Sequence, residues 1–164
     1  MIQKLLILLI HFGPKTKRWF WRVWYNIFAK KAYSHDFFFM NYGYSDETLS
    51  IKIDPKEERE RYPAQLYHHT ANQENLAGKK ILEVGSGRGG GASYVSRYLN
   101  PKSVIGIDIS RNAVNLCNST HQYPNVSFCV GDSEKIPFEN ESFDVVLNVE
   151  SSHCYPSIPK FLSE

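Results

Sequence analysis

KILEVGSGRGGG, residues 80–91, is the stretch that decides the fold of this chain. Lys80–Val84 predicts a buried strand, because a short apolar run bounded by turn residues is typical of a strand in a parallel sheet. The glycines that follow let the chain turn at once into a helix and let its backbone approach a ligand closely. Gly85, Gly87 and Gly90 match the G-x-G-x-x-G spacing of dinucleotide-binding loops, which alone is a weak signal.

Predicted helices and strands alternate around this stretch. The predicted helices cover residues 56–75, 92–99 and 111–121, and the further predicted strands are 104–107, 126–130 and 143–149. Ser110 is the expected N-cap of the last helix. This alternation predicts βαβ units in a Rossmann-like, doubly wound parallel sheet, an α/β fold. Ligands of such sheets bind outside the carboxyl ends of the strands, so the residues directly after each strand are the candidates.

Three acids occupy these strand ends in order. Glu83 lies two residues before Gly85, where a carboxylate does not help a pyrophosphate but suits a ligand with an ammonium group. Asp108 lies 21 residues after Gly87, where an acid can accept from the ribose hydroxyls of either NAD or S-adenosylmethionine (SAM). Asp132 follows the third strand and can accept from an adenine amino group. Together the acids favour SAM, which carries an amino-acid tail and no phosphate.

A polar group follows the fourth predicted strand. His153 is a predicted general base for a weakly acidic hydroxyl, because imidazole titrates near neutral pH; the alternative is a histidine that packs at the end of the strand. Glu150 is predicted to orient a neighbour or to touch the methionine moiety. Tyr155-Pro156 is predicted to form a turn.

Several stretches resemble the class I SAM-dependent methyltransferases of the ubiquinone/menaquinone methyltransferase type. They are Ile81–Gly91, Gly106–Asp108, Gly131–Phe138 and Ser142–Val146. Three more are similar to the phthiotriolone/phenolphthiotriolone dimycocerosates methyltransferases, namely Leu66–Ala71, Gly89–Tyr94 and Asp144–Pro156. The resemblance implies SAM as cofactor and O-methylation of a hydroxyl on a lipid-like or other apolar small molecule.

The resemblance also implies a set of site residues. The expected cofactor-binding residues are Tyr67, Glu83, Gly85, Ser86, Gly87, Asp108, Ile109, Asp132, Ser133 and Asn148, and the expected catalytic residues are His153 and Glu150. By analogy with the family, Tyr67 closes over the SAM tail. No metal site is expected, because no cysteines or histidines have the spacing of metal ligands. The complete family fold has seven strands, so we expect a sheet truncated after the fourth, in a partial methyltransferase domain over residues 56–164.

The N-terminal residues 1–55 are predicted to form a basic, aromatic, helical arm or lid. Residues 1–34 contain seven Lys or Arg and no acid, whereas the remainder has a net charge of −5. Within the arm, residues 15–33 suit an amphipathic helix with three alternatives: a lid over an apolar substrate, a helix on a membrane surface, or packing on the body. Nucleic acid is not expected as a partner because the body is acidic.

Composition is ordinary for a globular protein, with 42% hydrophobic and 22% charged residues. The apolar run Leu5–Ile10 is far shorter than the roughly 20 residues of a spanning helix and lacks a signal-peptide cleavage site. Three cysteines without a framework indicate free thiols in a reducing compartment. We therefore expect a cytoplasmic protein, with a peripheral position at the inner membrane face left open by the arm.

Two rival functions remain at this point. A nicotinamide-dependent oxidoreductase is supported only by the glycine spacing, and Glu83 and the stretch from Ile136 to Val146 oppose it. A non-catalytic SAM-binding fragment is supported by the expected truncation. The oligomeric state is not predicted.

Overall fold

The computed structural model describes residues 37–164 and shows a four-stranded, all-parallel sheet with strand order β3-β2-β1-β4. The strands are β1 (Lys80–Val84), β2 (Ser103–Asp108), β3 (Val126–Val130) and β4 (Val145–Leu147). The helices are α1 (Arg61–Ala71), α2 (Gly90–Tyr98), α3 (Arg111–Thr120) and α4 (Ile158–Leu162), with 3-10 turns at Pro55–Glu60 and Ser152–Cys154. The strand order reverses between β1 and β4, which confirms the doubly wound sheet and places a cleft at their carboxyl ends.

Two elements differ in length from the predictions by more than two residues. The predicted helix over 56–75 is divided into a 3-10 turn and α1, and α1 ends at Ala71. The fourth strand has three residues rather than seven, because it pairs with β1 only from Ile81 to Glu83. The predicted cap is confirmed: the Ser110 hydroxyl accepts from the Ala113 N–H at 3.3 Å.

The core lies on both faces of the sheet. Ile81 and Phe128 face the layer formed by α1, α2 and α3. Leu82, Val84 and Ile107 face the opposite side, as the two-residue period of a strand requires. That second side is covered by Ile136, Phe138, Phe143, Tyr155 and Phe161. Glu83 alternates with Leu82 and Val84 and therefore points towards the helices.

The described part of the predicted arm, residues 37–55, packs on the body. Phe39 and Ile51 are buried members of the core on the helical side of the sheet. The apolar run Leu5–Ile10 and the predicted amphipathic helix 15–33 lie outside the described residues, and the division at residue 55 stays a prediction. Between Phe37 and Glu164, no helix combines the length and the apolarity needed to cross a bilayer.

Candidate functional site

The loops after the four strands enclose one cleft, together with residues 38–40. Nine of the predicted site residues line it: Tyr67, Gly85, Ser86, Gly87, Asp108, Ile109, Asp132, Ser133 and Glu150. Glu83, Asn148 and His153 do not belong to its wall. The structure thus brings most of the predicted set together at the switch point of the sheet.

The glycine loop forms the floor of the cleft beyond β1. Gly85 adopts φ +79°, and its N–H and that of Ser86 both donate to the Ile107 carbonyl at 2.9 Å. A Cβ at Gly85 would overlap Ser151 and Tyr155, so a side chain there would be excluded by space as well as by backbone conformation. The Ser86 hydroxyl is buried, with no hydrogen-bond partner among the described residues. Its capacity for a hydrogen bond is therefore unused within residues 37–164.

Asp108 is held at the end of β2 by two backbone donors. Its Oδ2 accepts from the Gly87 N–H at 2.9 Å and its Oδ1 from the Ser110 N–H at 2.8 Å. Burial raises the pKa of this carboxyl to about 6, and the two N–H groups oppose that rise. Each oxygen keeps a further acceptor site, so a pair of ribose hydroxyls can be bound by a carboxylate of fixed orientation.

Asp132 is fixed in a tight turn after β3. Its Oδ1 accepts from the Glu134 N–H at 2.9 Å, and its carbonyl accepts from the Lys135 N–H at 3.0 Å. Ser133 lies beside it in the cleft wall. The turn fixes Asp132 in the cleft wall, and its contact with an adenine amino group stays a prediction.

Glu83 lies beneath the cleft rather than in its wall. Its Oε1 accepts from the Tyr67 hydroxyl at 2.6 Å, and its Oε2 is buried with no hydrogen-bond partner of regular geometry among residues 37–164. Burial raises the pKa of Glu83 to about 7. Tyr67 itself reaches the cleft, and its ring packs so closely on Gly91 that a Cβ there would overlap it. The side chain that borders the cleft is therefore Tyr67, with Glu83 behind it.

The loop after β4 is tied to the end of β1 by a side-chain network. The Asn148 amide donates to the Val84 carbonyl at 2.9 Å and lies 2.8 Å from the Ser151 and Tyr155 hydroxyls. The Tyr155 hydroxyl also donates to the Val84 carbonyl at 3.1 Å, and burial raises its pKa to about 12. The sequence predicts Tyr155 only as part of a turn. Its place after the fourth strand is the one sequence signal that indicates a site residue.

The two predicted catalytic residues occupy different positions. Glu150 lines the cleft with φ +48°, and its Oε2 accepts from the Tyr42 N–H at 3.0 Å. His153 is exposed in the 3-10 turn, outside the cleft wall. The catalytic role of each stays a prediction.

One wall of the cleft was not foreseen. Phe38, Phe39 and Met40 line it as part of a segment, residues 37–44, that we call the strap. The strap has no regular secondary structure and no sequence pattern that announces a site. Its contacts are made by residues distant in the sequence.

The charges of the cleft decide between the two ligand classes. The wall contains Asp108, Asp132 and Glu150, and among the described residues that line it there is no Lys, Arg or His. Such a surface disfavours the two phosphates of a dinucleotide and favours a ligand with a sulfonium and an ammonium group. The carboxylate acceptors of the wall, the close approach that Gly85 and Gly87 allow, and the Ser86 hydroxyl, unpartnered among the described residues, therefore fit SAM.

Comparisons with known proteins agree with this geometry. Residues 82–164 match the family model described as methyltransferase domain. The chain is 46% identical over 145 residues to the phthiotriol/phenolphthiotriol dimycocerosates methyltransferase of Mycobacterium leprae, covering 88% of this chain and 54% of that protein. It is 42% identical over 141 residues to the fatty-acid O-methyltransferase of Mycolicibacterium smegmatis, covering 85% and 52%. The chain spans about half the length of the curated relatives it matches.

A solved structure supports the fold. The SAM-dependent methyltransferase from Aquifex aeolicus superposes with a TM-score of 0.55 over 69% of this chain and 65% of that one, at 24% identity. The resemblance stated from the sequence is thereby confirmed. With just over half of its length matched by the family model and a strand order and cleft that agree with it, the chain belongs to the methyltransferase domain family.

Proposed function

We propose that the protein transfers the methyl group of SAM to a hydroxyl on a lipid-like or other apolar small molecule. The observation that carries the proposal is the composition of the cleft. Strand-end carboxylates share it with large apolar side chains from the strap and from the loop after β4. A polar cofactor and an apolar acceptor can therefore meet there. The names of the two curated relatives, both lipid methyltransferases, favour the same acceptor class.

The cofactor is assigned to the strand ends residue by residue. Asp108 accepts from the ribose hydroxyls, and Asp132 with Ser133 binds the adenine amino group. The glycine loop, the Ser86 hydroxyl and the Tyr67–Glu83 pair receive the amino-acid tail. Support comes from the backbone donors that orient Asp108 and from the unpartnered buried oxygens of Ser86 and Glu83.

SAM supplies an electrophilic methyl group for an in-line displacement. The protein's main task is then alignment of the acceptor oxygen, because a small misplacement costs about 100-fold in rate. Glu150 is placed to orient a hydroxyl at the cleft mouth, but a carboxylate is a weak base towards an alcohol. His153, which lies in the exposed 3-10 turn, remains the proposed base.

Methyl transfer to long-chain acceptors tests this function. Radiolabelled SAM would be offered with a long-chain secondary alcohol, its methyl ether and a fatty acid of equal length. The 164-residue chain would be assayed beside a version extended by a relative's C-terminal half, since the chain spans about half of those relatives. We expect label in the alcohol and none in the ether. Label in the fatty acid alone would show that the acceptor group is a carboxylate and not a hydroxyl. No transfer by either protein would refute the proposal.

We further propose that residues 15–33 contact anionic membrane surfaces, where the acceptor would be found. The support is their sequence alone, with basic and aromatic residues mixed and no acid. Co-sedimentation with anionic and with neutral vesicles at low salt tests this. Absence of binding to anionic vesicles would refute it.

A further inference from the structure

The strap is held by two buried charged side chains whose hydrogen bonds go to its backbone. Glu60 Oε1 accepts from the Phe38 N–H at 2.7 Å and from the Phe39 N–H at 3.2 Å. Arg88 Nε donates to the Phe37 carbonyl at 2.6 Å. Glu60 is 6% exposed and Arg88 is 3% exposed. Because a buried charge is unfavourable unless it is hydrogen-bonded, both side chains strongly favour the docked strap.

The two charges also stabilise each other. Burial raises the pKa of Glu60, and its bonds to the strap amides and the charge of Arg88 oppose that rise. Burial lowers the pKa of Arg88, and the charge of Glu60 opposes that change. Each charge therefore reduces the cost of burying the other.

Arg88, the second of these side chains, belongs to the glycine loop itself. A neighbouring residue of the loop also binds the strap, because the Gly90 N–H donates to the Phe38 carbonyl at 3.2 Å. A Cβ at Gly87 would lie 3.1 Å from the Met40 sulfur. The strap and the loop that forms the cleft floor thus fit together as one unit.

We propose that Glu60 and Arg88 are positioning residues for the cofactor: they dock the strap on the glycine loop so that Phe38–Met40 form a fixed wall of the cofactor pocket. The inference rests on the cofactor assignment made above. Neither side chain lines the cleft, so neither touches the ligand. They act through the strap backbone.

Binding of S-adenosylhomocysteine, the demethylated product, tests the proposal by titration calorimetry. Glu60→Ala removes the acceptor of both strap amides, and we expect about a tenfold loss of affinity. Glu60→Gln keeps an acceptor oxygen and should stay within about threefold of the unmodified chain. Glu57→Ala is the matched control. It lies in the same 3-10 turn, but its hydrogen bond goes to Arg97, outside the strap.

Amide hydrogen exchange separates positioning from general destabilisation. In Glu60→Ala, the Phe38 and Phe39 amides should exchange faster while those of β1 and β2 keep their protection. Should Glu60→Ala fail to fold, Arg88→Met is expected to give the same loss of affinity. Unchanged affinity for S-adenosylhomocysteine in Glu60→Ala, despite faster exchange of the strap amides, would overturn the positioning role alone. So would a loss of affinity in Glu57→Ala equal to that in Glu60→Ala. No binding by the unmodified chain would overturn the cofactor assignment as well.

Discussion

Glu83→Gln should change how the stability of the ligand-free protein depends on pH. Burial raises the pKa of Glu83 from 4.5 to about 7 in the folded state. One pKa unit corresponds to about 1.4 kcal/mol, so the ionised form costs the fold roughly 3 kcal/mol. Because the folded protein holds this proton more tightly than the unfolded chain, the stabilisation is complete below about pH 4.5. It is lost as the pH rises through about 7.

The measurement is urea denaturation without ligand at pH 5 and at pH 8. We expect the unmodified chain to lose roughly 2–3 kcal/mol more unfolding free energy over this interval than Glu83→Gln. Burying the amide introduced by Glu83→Gln costs the same free energy at both pH values. This cost therefore cancels, because the change between pH 5 and pH 8 is measured within each protein. Asp108, whose pKa burial raises to about 6, is present in both proteins and adds the same slope to each.

Glu139→Gln, which replaces an exposed acid, serves as the control and should follow the unmodified chain. Affinity for S-adenosylhomocysteine should change in the opposite direction and rise between pH 5 and 8, because its ammonium group favours ionised carboxylates. Parallel stability curves for the unmodified chain and Glu83→Gln would show that Glu83 titrates normally, and the argument from its burial would fail.

Three further predictions test the site. Asp108→Ala should weaken S-adenosylhomocysteine binding by about 1–3 kcal/mol in calorimetry; equal affinity would remove the ribose assignment. Gly91→Ala should lower the unfolding free energy by about 1–3 kcal/mol, since its Cβ overlaps the Tyr67 ring. Combining it with Tyr67→Ala should cost less than the two single changes together, and strict additivity would contradict the overlap. Tyr155→Phe should lower stability by about 1 kcal/mol through loss of its bond to the Val84 carbonyl, and an unchanged melting curve would argue against that bond.

The sheet and the glycine loop were predictable because their signals are local. β3 has the predicted bounds, residues 126–130, and the acids at the strand ends fall where a parallel sheet must place them. The direction of Glu83 could also have been read from strand alternation, which puts it with Ile81 on the helical side. Its expected contact with a cofactor stays a prediction.

The strap and the loop after β4 were not predictable from local patterns. The anchors of the strap lie 21 to 51 residues away in the sequence, at Glu60 and Arg88. In the turn at Ser152–Cys154, a 3-10 helix rotates successive side chains by about 120°. Polar residues in a row there therefore point in different directions. His153 is the residue of this turn region predicted to act in the site, whereas the nearby Tyr155 lines the cleft.

The network on the Val84 carbonyl has a consequence for the order in which the protein is made. Its donors, Asn148, Ser151 and Tyr155, lie 64, 67 and 71 residues further along the chain. The Tyr42–Glu150 contact closes a separation of 108 residues. During synthesis, β1, β2, β3 and the glycine loop are made before Asn148, Glu150 and Tyr155 are added to the chain. The nascent chain therefore presents an incomplete pocket. The part of the cleft wall that follows β4 is therefore completed only after the loop that contains these residues has been made.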